Sequence, residues 1–255
     1  MKKALYAVAL LGALGIAGVV LANHSWGGYH WAHTTTPFTL KLGDNVNANW
    51  DSYLSQTSAA WSVSTVLDTT VVAGATNPKN CRAVAGTVQV CNSTYGNNGW
   101  LGLAQIWISG GTHITQGVAK MNDTYFKLAA YNNADEKLHV MCQEVGHTFG
   151  LGHTSEDGTS QGTCMDYSTS PNSTLPNLHD YEQLASIYAH LDSFNSYSAA
   201  SATSRGMSAA AQNGNFENAS EWGRAVGQDA QGRDNQFVRD LGQGNLVITE
   251  VYWAD

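Results

Sequence analysis

The sequence predicts an α+β fold built on a single mixed sheet. Three observations carry that expectation. Short strand-like stretches bounded by Gly and Asn recur up to residue 121, two later segments repeat apolar residues at helical spacing, and a strand-like run closes the chain at 246–253. With 255 residues, 43% hydrophobic and 13% charged, the chain has material for one sizeable core, and disorder of the whole chain is excluded.

The elements follow in order. Met1, Lys2 and Lys3 precede an uncharged apolar run at 4–22 that ends Val20-Leu21-Ala22. A basic start, an apolar middle and a small-residue exit predict a secretory signal at 1–22, cleaved after Ala22. The main domain is expected at 23–192. Within it, alternation suggests a strand at 37–42, and Trp50, Tyr53, Leu54 and Trp61 lie at helical spacing across 47–62. Strands are expected at 63–72, 87–90, 103–108 and 113–121. A helix is expected from about 135 to 149, where Gly150 can supply a left-handed C-terminal residue. A second runs from about 177 to 191, with Tyr181, Leu184, Ile187, Tyr188 and Leu191 on one side. Residues 193–215 turn to Ser, Ala and Asn and read as a linker, followed by a small β element at 216–255.

Charge and cysteines bound the partners and the compartment. Formal net charge is -8, and loss of Lys2 and Lys3 with the leader leaves ten basic side chains against 20 acidic ones. That balance disfavours nucleic acid, whose phosphates require clustered Lys and Arg. The expected product is a secreted, extracellular monomer without membrane contact once the signal is removed. Four cysteines permit three pairings. Cys81 and Cys91 flank a segment that reads as a strand pair turning at Ala85-Gly86-Thr87, which suits a local bridge and leaves Cys142 with Cys164. Metal-binding thiolates at Cys142 and Cys164 are the competing reading, which export to an oxidising space disfavours. His24, His30 and His33 cluster near the mature N-terminus; chelation of adventitious metal is one reading, and simple exposure is the expected one.

The chemistry-bearing stretch is Gln143-Glu144-Val145-Gly146-His147, continuing through Gly150 to His153. On a helix Gln143, His147 and Glu144 fall at about 0, 40 and 100 degrees around the axis, so all three look into one cleft. His147 can ligate a metal there, Glu144 can hold an attacking water, and Gly150 lets the chain turn so that His153 returns to the same ion. Three protein ligands leave a fourth position for water, whose pKa zinc lowers to about 7. His139 precedes His147 by eight residues, about 12 Å along the axis, and reads as a surface or packing histidine.

These residues resemble the metzincin zinc proteases, of matrixin or astacin type, whose pattern is H-E-x-x-H-x-x-G-x-x-H followed by a Met-turn. Glu144, His147, Gly150 and His153 match four of the five fixed positions, and Gln143 stands at the first. The Met-turn is matched by Thr163-Cys164-Met165-Asp166-Tyr167. The resemblance implies a mixed sheet with a ligand-bearing helix, a Met-turn and a C-terminal helix, with one catalytic Zn2+ on Gln143, His147 and His153. It makes Glu144 the general base towards a metal-activated water, Met165 the floor of the site, and Tyr167 the oxyanion donor. It also implies a protein or peptide substrate, with the strand at 103–108 lying along the cleft edge and pairing with substrate backbone. Structural Ca2+ is left open.

Gln143 is the departure. Its neutral carbonyl oxygen is a weaker donor than imidazole, which leaves more positive charge on the zinc and a more acidic bound water. Cys142 directly precedes Gln143 and Cys164 directly precedes Met165, so a bridge between them would fasten the ligand helix to the floor of the site. The short interval between Ala22 and Trp26 is expected to leave no room for an N-terminal pro-segment, so the enzyme would be exported competent or be held in check by its C-terminal segment or by an inhibitor elsewhere. A second reading keeps the scaffold as an inactive extracellular binding protein with a weakened metal site. The joint presence of Glu144, His147, His153, Met165 and Tyr167 favours the endopeptidase.

Overall fold

The computed structural model describes residues 24–198 and 216–254. The leader expected at 1–22 and most of the linker expected at 193–215 lie outside the described residues. No helix among the described residues is long and apolar enough to cross a membrane. The architecture is mixed α+β.

A single mixed sheet of nine strands is the spine. The strands are β1 (His30–Trp31), β2 (Phe38–Asn45), β3 (Leu67–Ala73), β4 (Val88–Ser93), β5 (Trp100–Ser109), β6 (His113–Asn122), β7 (Arg224–Gln228), β8 (Asp234–Gly242) and β9 (Asn245–Trp253). In space they run β3-β2-β4-β6-β5-β9-β8-β7, and β1 pairs with the start of β6. The pairs among β1, β2, β3, β4 and β6 are parallel, whereas β5 runs antiparallel to both β6 and β9. The C-terminal strands therefore continue the main sheet.

Helices α1 (Asp51–Trp61), α3 (Ala134–His147) and α4 (Leu178–Ile187) pack on one face, and a one-turn α2 (Asp123–Phe126) follows β6. The larger core lies between that face and the helices, around Trp31, Leu40, Trp61, Val140, Phe149 and Leu184. A second core on the opposite face gathers Trp100, Leu103, Trp107, Val118, Phe216 and Trp222. All ten residues of β5 are buried. Burial on both faces explains why this run is continuously apolar around Gln105 where a half-exposed strand would alternate.

Three expectations are corrected. The strand expected from residue 63 begins at Leu67, because Ser62 and Val63 still donate to the last carbonyls of α1 and Val63 stays exposed. The last helix ends at Ile187; Tyr188 turns inward, where its hydroxyl donates to the Phe149 carbonyl at 2.8 Å, and Leu191 is exposed. His24, His30 and His33 are buried, since the N-terminal segment is folded into the molecule: Trp26 N–H donates to the Gly150 carbonyl at 3.0 Å, and β1 pairs with β6.

Candidate metal centre

Helix α3 presents the central residues. Its first turn is held by Asn133, whose side chain accepts from the Glu136 N–H at 2.8 Å, with Asp135 and Glu136 favourably placed at the positive end. The helix is anchored from behind by the Trp61 indole, which donates to the Cys142 carbonyl at 3.1 Å. It gives way at Thr148, and Gly150 adopts the left-handed φ of +95° that an L side chain resists. That turn sends the chain back past the helix end to His153.

Gln143, Glu144 and His147 are all buried, and each offers a polar atom without a partner. The Gln143 amide nitrogen donates to the Asp166 carbonyl at 2.9 Å, which fixes the amide and leaves Oε1 unpaired. Both Glu144 carboxylate oxygens are unpaired, and the side chain lies directly over Gly102 of β5, where any Cβ would collide with it. His147 holds the Leu151 carbonyl through Nδ1 at 2.8 Å, so its Nε2 is the free nitrogen. The His153 ring stands perpendicular to His147 with centroids 4.5 Å apart, and its Nδ1 lies 3.0 Å from Glu156 Oε1.

The turn at 163–167 forms the floor. Met165 is buried beneath α3 so closely that a Cβ on Gly146 would lie 2.6 Å from its sulfur. The Asp166 carboxylate organises the turn, accepting from the Gln161 N–H at 2.6 Å, the Ser173 hydroxyl at 2.9 Å and the Ser168 N–H at 2.9 Å. A disulfide joins Cys142 of α3 to Cys164 of this turn, and a second joins Cys81 to Cys91. Tyr167 stacks edge-on against His153, while its hydroxyl donates to the Val251 carbonyl at 2.9 Å and accepts from Asn235 at 3.2 Å.

Burial dominates the electrostatics. Desolvation holds the Glu144 carboxyl well above the usual carboxylate range and the His147 imidazole well below its own, the latter helped by neighbouring His153. A neutral imidazole is the ligating form, and a divalent cation beside Glu144 would favour the carboxylate that burial alone disfavours. The donor set fits a zinc ion. Gln143 Oε1 and His147 Nε2 are buried atoms in need of a partner, and the ring nitrogens turned away from the site are held by a carbonyl and a carboxylate, as metal-bound histidines require. His139 takes no part: it is buried, its Nδ1 meets the Ser173 carbonyl at 2.5 Å, and its ring packs on Tyr252.

Several neighbours escaped sequence reasoning. Glu156 had a local signal, three residues after His153. Trp26, stacked on His147 at 5.2 Å, and Asn235, Glu250 and Tyr252 from the C-terminal strands had none. The strand expected to offer a free cleft edge does not have one, because β9 occupies the side of β5 away from β6. Glu250 pairs opposite Ala104, and the Tyr252 ring stacks on Tyr167 at 4.8 Å. A cavity of about 170 Å³ opens beside Glu156, Tyr167, Arg233 and Tyr252.

No family model and no curated protein sequence matches the chain. Among solved structures it is similar to high choriolytic enzyme 1, a hatching enzyme zinc-protease from Oryzias latipes (medaka fish). The identity is 10%, the match covers 64% of this chain and 95% of that one, and the TM-score is 0.34.

Proposed function

We propose that the chain is a secreted zinc-dependent endopeptidase, with Gln143, His147 and His153 as metal ligands, Glu144 as general base and Tyr167 as oxyanion donor. The observation that supports it most is the group of unpaired buried atoms on one helix face: Gln143 Oε1, both Glu144 oxygens and His147 Nε2. Unpaired buried polar atoms are costly, about 1–3 kcal/mol each, so a group of them on one face indicates a ligand that satisfies them together.

A bound zinc ion supplies Lewis acidity at the scissile carbonyl and lowers the pKa of water beside it. Glu144 takes the proton from the attacking water and passes it to the departing amine. The lack of a side chain at Gly102 leaves the space that its carboxylate occupies. Glu156 holds His153 in the tautomer that turns Nε2 inward. Tyr167 donates to the oxyanion once its hydroxyl leaves the Val251 carbonyl.

The position of β9 gives the reading a second half. Ile248 and Tyr252 join the same core as α3, and Tyr252 covers Tyr167, so a peptide reaches Glu144 only when this strand moves aside. The C-terminal strands restrain the rate without abolishing it, since the strand that covers Tyr167 must move for each substrate to enter. The test is hydrolysis of a denatured general substrate by zinc-loaded protein, with and without chelator. Loss on chelation, return with zinc and absence in Glu144→Gln are expected; equal hydrolysis by Glu144→Gln contradicts the assignment.

A further inference from the structure

A second group of imidazoles lies apart from Gln143, His147 and His153 and shares no residue with them. It is built from three remote pieces of chain: His30 of β1 with His33 beyond it, His113 at the start of β6, and His190 and Asp192 after α4. His30 Nε2 and His190 Nε2 face each other at 3.1 Å. The Asp192 carboxylate lies 3.7 Å from the first and 3.8 Å from the second, through different oxygens. The three donor atoms fall within 4.8 Å of one another. A tetrahedral zinc site with bonds of about 2.0–2.1 Å has donor-to-donor edges of roughly 3.3 Å, so these separations need only small adjustments.

The surroundings prepare the donors. His30 Nδ1 lies 2.8 Å from the Gly28 carbonyl, which places the proton there and turns a bare Nε2 towards His190 and Asp192. Desolvation keeps the His30 imidazole below its usual range and therefore neutral, the form that binds metal. Asp192 is fixed from two sides, by the His33 N–H at 3.0 Å and by His113 Nε2 at 3.2 Å. His33 is fully buried, and its Nδ1 is 3.6 Å from Asp192. Four imidazoles converging on one carboxylate exceed what that carboxylate needs as a hydrogen-bond acceptor. The His190 side chain is 53% exposed, which leaves an entry path on one side.

We propose that His30, His190 and Asp192 bind a second divalent ion of the zinc class, with His113 and His33 orienting the carboxylate and water completing the shell. Ligands about 160 residues apart would tie the N-terminal segment, which stacks Trp26 on His147, to the chain leaving α4. The ion is structural and clamps that segment in place.

The test counts zinc in the full chain after stripping and reloading, in wild type and in two variants, His190→Ala and Asp192→Asn. Each variant is expected to hold one ion fewer than wild type, to lose part of the zinc-dependent rise in Tm, and to keep the hydrolytic rate. The count is a difference, so it reads the same whether or not the Gln143 site carries an ion, and failure of the endopeptidase reading leaves it intact. A second measurement needs no variant: diethyl pyrocarbonate modification of His190 in wild type, followed by peptide mass analysis. Free zinc at ten times its dissociation constant is expected to slow that modification roughly tenfold. Unchanged zinc content in both variants, or unchanged modification of His190 at saturating zinc, overturns the proposal and leaves a hydrogen-bonded histidine cluster without a metal.

Discussion

At the scale of single residues, Glu144 and Glu156 do different work and separate cleanly by experiment. If Glu144 is the base as proposed, Glu144→Gln keeps the shape and removes it, so kcat is expected to fall by about 10²–10⁴ with KM little changed. Glu156→Gln leaves the base in place but removes the carboxylate behind His153, and zinc affinity is expected to drop about 10- to 100-fold in a chelator competition. An unchanged affinity in Glu156→Gln would mean that His153 is not held for metal. The placement of Glu144 and His147 on one helix, with His153 brought back beside His147, was legible in the sequence because helical spacing and one glycine turn are local properties. Glu250 and Tyr252 were not, since they reach the site from about 100 residues away through strand pairing that no short window reveals. His30 and His33 were misjudged for a similar reason: their partners, Asp192 and Tyr188, are remote in sequence.

Elements carry the next level of constraint. The bridge between Cys142 and Cys164 closes a loop of 22 residues between α3 and the turn beneath it. Replacing both cysteines with alanine is expected to cost about 3 kcal/mol and to speed zinc loss before the sheet unfolds. Zinc release that tracks global unfolding in the variant would show that the bridge does not hold the site. The long apolar run of β5 was legible as a strand, yet its neighbours were not: burial on both faces looks the same in sequence whether the outer edge is free or paired. On the proposed reading, that edge governs access. Tyr252→Ala removes the ring stacked on Tyr167 and His139, at a stability cost of about 3–5 kcal/mol, and is expected to raise hydrolysis of a short peptide above the wild-type rate. A rate at or below wild type contradicts restraint by the C-terminal strands.

Five of the nine histidines of the molecule are buried, and burial links each of them to the response to acid. Desolvation lowers the His139 pKa from its ordinary 6.5 to about 4. Between those values the unfolded chain binds the proton that the folded chain refuses, so the contribution of this group to stability is full above pH 6.5 and declines as pH falls towards 4. The loss is on the order of 3 kcal/mol for this one group. Urea midpoints of the metal-free chain measured across that window should fall less with decreasing pH, or rise more, in His139→Phe than in wild type; an identical pH dependence in the variant assigns the acid response elsewhere. The α+β class was legible from the order of strand and helix patterns, whereas the union of the C-terminal strands with the main sheet was set by long-range pairing between β5 and β9. The central claim is that an amide oxygen and two imidazoles suffice to hold zinc over Met165. Anomalous diffraction at the zinc edge, on crystals saturated with the ion, tests it directly. A peak about 2.0–2.2 Å from Gln143 Oε1, His147 Nε2 and His153 Nε2 is the predicted result, and a map with no peak among those three atoms contradicts it.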